Sequence, residues 1–186
     1  LFNILFTKTY MYRDDPPFTL VSGKQSNYYF DCKASTLDAK GVYLTGAVLF
    51  ETVKGIIEAE KIQALGGLTL GADPIAISTA IYSQTQGISI NPLVIRKEAK
   101  AHGTQKWIEG NLDNVKNVLA IDDVITTGKS TITAIERLQE SGLQVSHAVV
   151  IIDREEGGRE NIEKLGIKVI SLYTRSDFDN KRLSLE

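Results

Sequence analysis

Two adjacent carboxylates are the side chains of this sequence that are best suited to chemistry. Asp122 and Asp123 follow four apolar residues at 118–121, which predict a strand buried on both faces of a sheet. Ligands of open α/β sheets bind at the carboxyl ends of such strands. We therefore expect both carboxylates to lie beyond the strand, at a binding site.

The turn after these carboxylates is suited to holding a phosphate. Residues 126–130 are small and rich in hydroxyl groups, and they precede a helix predicted over 131–141 by the spacing of Ile132, Ile135 and Leu138. The N–H groups of such a turn and the positive end of the helix dipole attract an anion. An acidic pair beside a phosphate site suits a ligand that carries a cis-diol, or a bound metal, near a phosphate monoester. A ribose 5-phosphate has that layout.

This stretch allows two other interpretations. Gly128, Lys129 and Ser130 could close a P-loop of the form G-x-x-x-x-G-K-[ST], but that loop needs glycine at position 123. The carboxylate of Asp123 would repel a diphosphate there, which disfavours the P-loop. A structural role for the acidic pair stays open, because aspartate also forms turns and caps helices at strand-to-helix junctions.

The stretch VLAIDDVITTGKS resembles the phosphoribosyl diphosphate signature of the type I phosphoribosyltransferases. The resemblance implies that Asp122 and Asp123 hold the ribose hydroxyls and that 126–130 wraps the 5-phosphate. The residues that it assigns to phosphoribosyl diphosphate in this stretch are Asp122, Asp123, Val124, Ile125, Thr126, Thr127, Gly128, Lys129 and Ser130.

A basic segment begins at residue 96, directly after the predicted strand 92–95. It has no apolar face with which to dock, so it favours a mobile lid over the usual alternative, a solvated charged face. RKEAKAHG resembles the catalytic loop of orotate phosphoribosyltransferases, which closes over the active site of the other subunit of a homodimer. The resemblance implies that four residues contact the diphosphate as it leaves: Arg96, Lys97, Lys100 and His102. Arg96, Lys100 and His102, together with Asp123, are the predicted catalytic residues.

A third group of residues is predicted to bind the base. Arg154 follows a buried strand at 145–152, and its guanidinium can pair bidentately with a carboxylate. The alternative is that Arg154 neutralises Glu155 and Glu156. IIDREEGGR resembles the segment of orotate phosphoribosyltransferases whose arginine meets orotate.

An aromatic pair near the amino terminus is also assigned to the base. FTLVSGKQSNYYFD resembles the hood of orotate phosphoribosyltransferases, and this implies that Tyr29 and Phe30 pack around the planar base, with Thr126 as a further orotate contact. Read without the resemblance, these rings are ordinary hairpin packing.

The elements that position these residues alternate along the chain. Their order predicts a doubly wound, mainly parallel α/β sheet flanked by helices, with a small N-terminal hood. The predicted strands are 18–21 and 26–31, forming a hairpin attached to the main sheet, and 92–95, 118–121, 145–152 and 167–173. Residues 62–70 are predicted as a strand followed by a loop. The predicted helices are 38–60 capped by Asp38, 73–86 with Asp73 as cap and Pro74 in the first turn, 131–141 and 160–165. The rest of 1–37 and the polar tail after 173 have no predicted element. The glycine-rich segment 66–71 either reverses the chain or brings its backbone close to a neighbour.

Composition sets the remaining expectations. A length of 186 residues with 42% hydrophobic side chains predicts a single domain over 1–186, with a hood of roughly 1–37 plus C-terminal elements and a core of roughly 38–173. A net charge of −2 gives no general attraction to nucleic acid or to a membrane surface. Cys32 is the only cysteine and the amino end does not have the form of a signal peptide, so a cytoplasmic location is expected.

The resemblance implies the following reaction. Ribose 5-phosphate passes from Mg²⁺-bound 5-phosphoribosyl 1-diphosphate to N1 of orotate, giving orotidine 5-phosphate and diphosphate in pyrimidine synthesis. Mg²⁺ is held mainly through the diphosphate, with no direct protein ligand assigned. The alternatives are a phosphoribosyltransferase for another base and a ligand-sensing regulator of the same fold. Some members of the family carry a basic residue where this sequence has Val21 and a lysine where it has Gly71, and this puts diphosphate contacts from those two positions in doubt.

Overall fold

A six-stranded sheet forms the centre of the molecule in the computed structural model, which describes residues 1–19, 25–98 and 107–185. The strands are β1 (Tyr10–Tyr12), β2 (Phe18–Thr19), β3 (Gln25–Ser26), β4 (Tyr28–Phe30), β5 (Ala64–Leu68), β6 (Asn91–Ile95), β7 (Ile108–Glu109), β8 (Asn117–Ile125), β9 (Gln144–Asp153) and β10 (Lys168–Thr174). The helices are α1 (Phe2–Lys8), α2 (Lys33–Thr36), α3 (Ala39–Glu60), α4 (Asp73–Thr85), α5 (Lys129–Glu140), α6 (Gly158–Glu163) and α7 (Arg175–Leu183).

The order of strands in the sheet is β10-β9-β8-β5-β6-β7, and every pair is parallel except β6 with β7. Helices cover both faces, because alternate residues of β8 join different cores. Leu119 and Ile121 pack with residues of α3 and α4, whereas Val118 and Ala120 pack with residues of α5 and α6. The predicted doubly wound, mainly parallel sheet is confirmed.

The longest helix begins where the sequence predicted. The Asp38 side chain accepts a hydrogen bond from the Gly41 N–H at 2.9 Å and caps α3. The predicted cap of α4 is wrong by one residue, because Ala72 is the N-cap and Asp73 is already helical. The carboxylate of Asp73 instead accepts a hydrogen bond from the Thr69 hydroxyl at 2.6 Å, which ties the start of α4 to the loop after β5.

Glycine in β5 is needed because neighbouring strands approach closely. A Cβ atom on Gly67 would lie 1.8 Å from the carbonyl oxygen of Ile121 on β8. One on Gly66 would lie 2.3 Å from the carbonyl oxygen of Leu93 on β6. Of the two explanations that the sequence left open for this segment, close backbone approach applies to Gly66 and Gly67, and both lie within the strand.

The hood differs from the predicted hairpin. β2 pairs with β3, but the aromatic stretch β4 is a separate strand that pairs with β1, and both two-stranded sheets are separate from the main sheet. The expected attachment to the main sheet is therefore wrong. Helices α1 and α7 were not predicted. They pack together through Phe178, whose ring lies 4.9 Å from that of Phe2 and 5.2 Å from that of Phe30.

No helix within the described ranges is long and apolar enough to cross a membrane.

Candidate active site

The two adjacent carboxylates lie in different surroundings. Asp122 is only 5% exposed and lies inside β8, opposite Val150 of β9. The prediction that both carboxylates lie beyond the strand is wrong, because pairing with β9 extends β8 to Ile125 and places Asp122 and Asp123 inside it. Asp123 is half-buried, and its carboxylate accepts a hydrogen bond from the N–H of Val124 at 2.9 Å. Asp123 is therefore the more accessible member of the pair.

Asp122 fixes the start of helix α5. One of its oxygens accepts hydrogen bonds from the Ser130 hydroxyl at 2.8 Å and from the Thr131 hydroxyl at 2.6 Å, and the other accepts from the Asp123 N–H at 3.0 Å. Burial, and next the charge of Asp123, raise the pKa of Asp122 to about 7, although these hydrogen bonds act in the opposite direction. A buried carboxyl with this pKa changes charge near neutral pH.

The predicted phosphate turn leads directly into this helix. Gly128 has a positive φ of 81° and is the N-cap of α5, which begins at Lys129, two residues earlier than predicted. Thr127 and Lys129 are exposed, and Thr126 is half-buried. The hydroxyl of Ser130 donates to Asp122, so its backbone is what this residue offers to a ligand. The first turn of α5 presents N–H groups and the positive end of the helix dipole.

Val124 and Ile125 connect the acidic pair to the phosphate turn, and their side chains pack on opposite faces of the sheet. The side chain of Ile125 is fully buried in the core on the α5 side, and Val124 is half-buried against the opposite core. The side chain of Ile125 therefore supports the turn and leaves only backbone atoms for a ligand, whereas that of Val124 is partly accessible.

The loop between β5 and α4 meets the acidic pair at Gly71. A Cβ atom on Gly71 would lie 2.8 Å from Cγ of Asp123. Any side chain at position 71 would therefore displace that carboxylate or be displaced by it. One carboxylate oxygen of Asp73, Oδ1, is buried without a hydrogen-bond partner in the part of the chain that the structure describes.

Arg154 lies beside the phosphate turn. Its N–H donates to the carbonyl of Ile125 at 3.0 Å, and its side chain is only 8% exposed. The guanidinium pairs with Glu156 at 2.8 Å, and its Nη2 atom lies 3.4 Å from the Ser26 hydroxyl. Its Nε–H is buried and has no acceptor within 1–19, 25–98 and 107–185. Arg154 therefore keeps a buried donor available, although the alternative pairing with an adjacent glutamate is also present.

The two aromatic residues assigned to the base face opposite sides of β4. Phe30 is buried in the hood core, and its ring centroid lies 6.0 Å from the guanidinium of Arg154. Tyr29 is 40% exposed and stacks on Phe18 at 5.6 Å. Adjacent residues of a strand point in opposite directions, so the structure brings Phe30, and not Tyr29, to Arg154.

Ser26, a neighbour of Arg154, was not predicted from the sequence as a site residue. The separation of 128 residues along the chain between Ser26 and Arg154 explains this, because no local pattern reports such a contact. Glu156 was noticed only as a possible partner of an exposed arginine.

The basic segment is described at its first residues only. Arg96 follows β6, and its guanidinium pairs with Glu109 of β7 at 3.1 Å. Lys97 comes next. Lys100 and His102 lie outside the described residues, so their predicted places in the site are not addressed by the structure.

Several known proteins are similar to this chain in sequence. No family model matches the sequence. The orotate phosphoribosyltransferase of Leptospira biflexa serovar Patoc is 44% identical over 172 residues, which cover 92% of each chain. The orotate phosphoribosyltransferase of Aquifex aeolicus is 47% identical over 164 residues, which cover 88% of this chain and 87% of that protein.

Solved structures agree in the same way. The orotate phosphoribosyltransferase of Mycobacterium tuberculosis H37Rv, crystallised with Fe(III) dicitrate, has a TM-score of 0.78 at 32% identity, and the match covers 95% of both chains. The same protein in complex with 5-phospho-alpha-D-ribosyl 1-diphosphate has a TM-score of 0.74 at 29% identity over 95% of both chains. The similarity thus extends over nearly the whole of this chain in both sequence and fold.

Proposed function

This chain belongs to the orotate phosphoribosyltransferase family, and we propose on that premise that its site has a phosphoribosyl end and a base end. The enzyme transfers ribose 5-phosphate from 5-phosphoribosyl 1-diphosphate to N1 of orotate, giving orotidine 5-phosphate and diphosphate in the synthesis of UMP. One hydrogen bond supports the assignment of residues to the two ends of the site. The Arg154 N–H donates to the carbonyl of Ile125 at 3.0 Å, so the base arginine and the phosphate turn start at the same point.

The phosphoribosyl end consists of the turn and the acidic pair. Residues 126–130 hold the 5-phosphate through the N–H groups at the start of α5. Asp123, which is half-buried, binds the ribose hydroxyls, and Asp122 positions both Asp123 and α5 through its hydrogen bonds. Thr126 follows Ile125 directly and lies where the two ends of the site meet.

The base end is built around Arg154. A buried guanidinium whose Nε–H has no acceptor among the described residues suits a substrate that carries its own carboxylate, because bidentate pairing is strong where water is excluded. Orotate carries such a group and uracil does not. The ring of Phe30 lies beside this guanidinium and adds an apolar wall. Tyr29 points to the other side of the strand, so its assignment to the base rests on the sequence resemblance alone.

The reaction needs charge stabilisation and no protein nucleophile. Positive charge develops on the ribose ring and negative charge on the departing diphosphate, so fixed charges near them lower the barrier. Asp123 stands on the ribose side. Arg96 and Lys97 serve the diphosphate, and Lys100 and His102 are assigned the same role by sequence resemblance alone, since they lie outside the described residues.

Mg²⁺ is proposed to enter the site on the diphosphate. Among the described residues, no group of three or more His, Cys, Asp or Glu side chains is arranged to hold a metal ion. The single accessible carboxylate of Asp123 fits a Mg²⁺ ion that is bound mainly through substrate phosphates and water. When bound there, the ion supplies positive charge to the leaving diphosphate.

A homodimer is proposed from an exposed apolar face. Four large side chains line one groove between the start of α3 and α4: Leu37, Tyr43, Ile77 and Ile81, which are 45–64% exposed. Contiguous apolar surface of this kind commonly marks a protein interface. Helix α4 begins at the loop that holds Gly71, so a second copy on this face would lie beside the active site, as a shared catalytic loop requires. Cytoplasmic location stays an expectation from the sequence.

The experiment that tests this function uses the purified protein with Mg²⁺ and 5-phosphoribosyl 1-diphosphate. Orotate, uracil, adenine and hypoxanthine are offered separately, and diphosphate release is measured. We expect turnover with orotate that exceeds turnover with each other base by at least about 100-fold. Equal or faster turnover of another base would contradict the proposed specificity, and binding without turnover of any base would indicate a regulator.

A further inference from the structure

Arg137 contacts the chain on both sides of residues 99–106, at the start of the basic segment and at Trp107, which follows it. It lies on α5, two turns after the phosphate site, and is half-buried. Its Nη1 atom donates to the carbonyl of Arg96, and its Nη2 atom donates to the carbonyl of Lys97 at 2.9 Å. Its guanidinium carbon also lies 4.1 Å from the centre of the Trp107 ring. One side chain therefore holds the chain before residue 99 and the chain after residue 106.

These contacts are directional, which distinguishes them from general packing. A planar guanidinium can donate two parallel hydrogen bonds while its face stacks on an aromatic ring, and lysine cannot do all three. The same region is tied further by the Arg96 N–H, which donates to the carbonyl of Trp107 at 2.9 Å. The side chain of Arg96 is held by Glu109 at 3.1 Å.

Helix α5 joins this clamp to the phosphate turn. Its first turn is fixed to Asp122 through Ser130 and Thr131, and its third turn carries Arg137. A short rigid helix therefore sets the distance between the phosphate turn and the backbone of Arg96. This matters because a misplacement of about 1 Å far from the chemistry can lower a rate on the order of 100-fold.

We infer that Arg137 is a positioning residue, which places Arg96 at the diphosphate side of the site by clamping the backbone at 96–97 to Trp107. The inference rests on the proposed function, because it assigns Arg96 to the diphosphate. Arg137 itself contacts no substrate. Its loss should affect 5-phosphoribosyl 1-diphosphate more than orotate, since Arg154 and the base end are built on other elements.

The test compares three variants of the full chain. Arg137→Met keeps the aliphatic stem but removes both donors and the charge, Arg137→Lys keeps a charge, and Glu136→Gln alters the exposed neighbour as a control. We expect Arg137→Met to lower kcat/KM for 5-phosphoribosyl 1-diphosphate by about 10-fold to 100-fold. The KM for orotate should change by less than about threefold, and Arg137→Lys should recover part of the loss.

Trp107 provides an independent readout because it is the only tryptophan of the chain. Removing the cation that stacks on its ring should shift the fluorescence emission of Arg137→Met, and Glu136→Gln should match the wild type. In titrations with 5-phosphoribosyl 1-diphosphate, half of the emission change should require about tenfold more ligand in Arg137→Met, in line with the kinetic loss.

Three results would overturn the inference: unchanged emission and unchanged kinetics in folded Arg137→Met, a similar rise of KM for both substrates, or a loss of activity that only follows a loss of thermal stability. If Arg137→Met does not fold, Arg137→Lys decides by the same readouts. A wild-type protein that does not turn over orotate would contradict the proposed function. An active wild type with unaffected Arg137 variants would contradict the clamp alone.

Discussion

At the scale of single residues, adjacent side chains of the same type have different tasks. Asp122 is buried and accepts hydrogen bonds from two hydroxyl groups and one N–H, whereas Asp123 faces the loop at Gly71. The sequence predicted a site at this pair but could not separate the two roles. The two roles differ because β8 pairs with β9 past Asp122, and the length of this pairing depends on both strands of the sheet.

The raised pKa of Asp122 predicts a pH dependence of stability. Below about pH 4 the carboxyl is protonated in both the folded and the unfolded chain, but its folded pKa is about 7 against an ordinary 3.8. As pH rises from about 4 to about 7, the unfolded chain releases the proton more readily, so the free energy of unfolding falls. Above about pH 7 both states are ionised and this penalty stays constant.

Asp122→Asn should remove this part of the pH dependence. The free energies of unfolding of the variant and the wild type are measured with urea. The difference, variant minus wild type, should rise by up to a few kcal/mol between about pH 4 and about pH 8. The exposed Asp113→Asn serves as the matched control and should follow the wild type. A difference between Asp122→Asn and wild type that does not change with pH would show that Asp122 does not titrate in this range.

At the scale of elements, strong local sequence patterns predicted the strands and helices of the core, but the helices of the hood were not predicted. The unbroken apolar runs at 118–121 and 145–152 gave β8 and β9, and Asp38 gave the start of α3, because each signal is local. Helix α1 has seven residues and no side-chain cap in the described ranges, so it depends on packing that a single sequence does not reveal. Helix α7 is mostly polar with Phe178 as its one buried residue, but Thr174 and Asp177 form a capping box at its start, and this local signal could have predicted it.

The loop between β5 and α4 gives a prediction that separates function from stability. A Cβ atom on Gly71 would lie 2.8 Å from Asp123, and a carboxylate at the end of a side chain can move aside at little cost in stability. Gly71→Ala should therefore change the free energy of unfolding by less than about 1 kcal/mol. It should raise the KM for 5-phosphoribosyl 1-diphosphate on the order of tenfold, because Asp123 is displaced.

Gly55→Ala is the matched control, since a Cβ atom there meets no atom of the described residues within 4 Å. This change in the interior of α3 should stabilise the protein by about 0.5–1 kcal/mol and leave the kinetics unchanged. An unaltered KM in Gly71→Ala would indicate that the position of Asp123 is not critical for binding.

At the scale of the whole molecule, the active site and the exposed apolar groove share helix α4. Asp73, the first residue of α4, accepts a hydrogen bond from Thr69 in the loop that meets the acidic pair. The exposed face of α4 carries Ile77 and Ile81. Assembly and catalysis are therefore expected to depend on each other.

A charge placed in the groove should prevent assembly. Ile81 is 64% exposed in the single chain, so Ile81→Glu should cost the monomer little while burying a charge in a dimer. Sedimentation velocity should give a dimer for the wild type and a monomer for Ile81→Glu, with activity reduced if the catalytic loop is shared. Glu140→Lys, on the distant helix α5, is the control and should remain dimeric. A monomeric wild type, or a dimeric Ile81→Glu protein, would place the interface elsewhere.

Arg154 is the group proposed to select orotate, and steady-state kinetics of Arg154→Ala test this role directly. The wild type should prefer orotate over uracil, because breaking a desolvated ion pair costs about 3–5 kcal/mol, or ~10²–10³ in preference. In a variant that circular dichroism shows to be folded, most of this preference should disappear. The KM for orotate should rise far more than that for 5-phosphoribosyl 1-diphosphate, which binds at the other end of the site. An unchanged dependence on orotate in the folded variant would contradict the account and remove Arg154 from the base site.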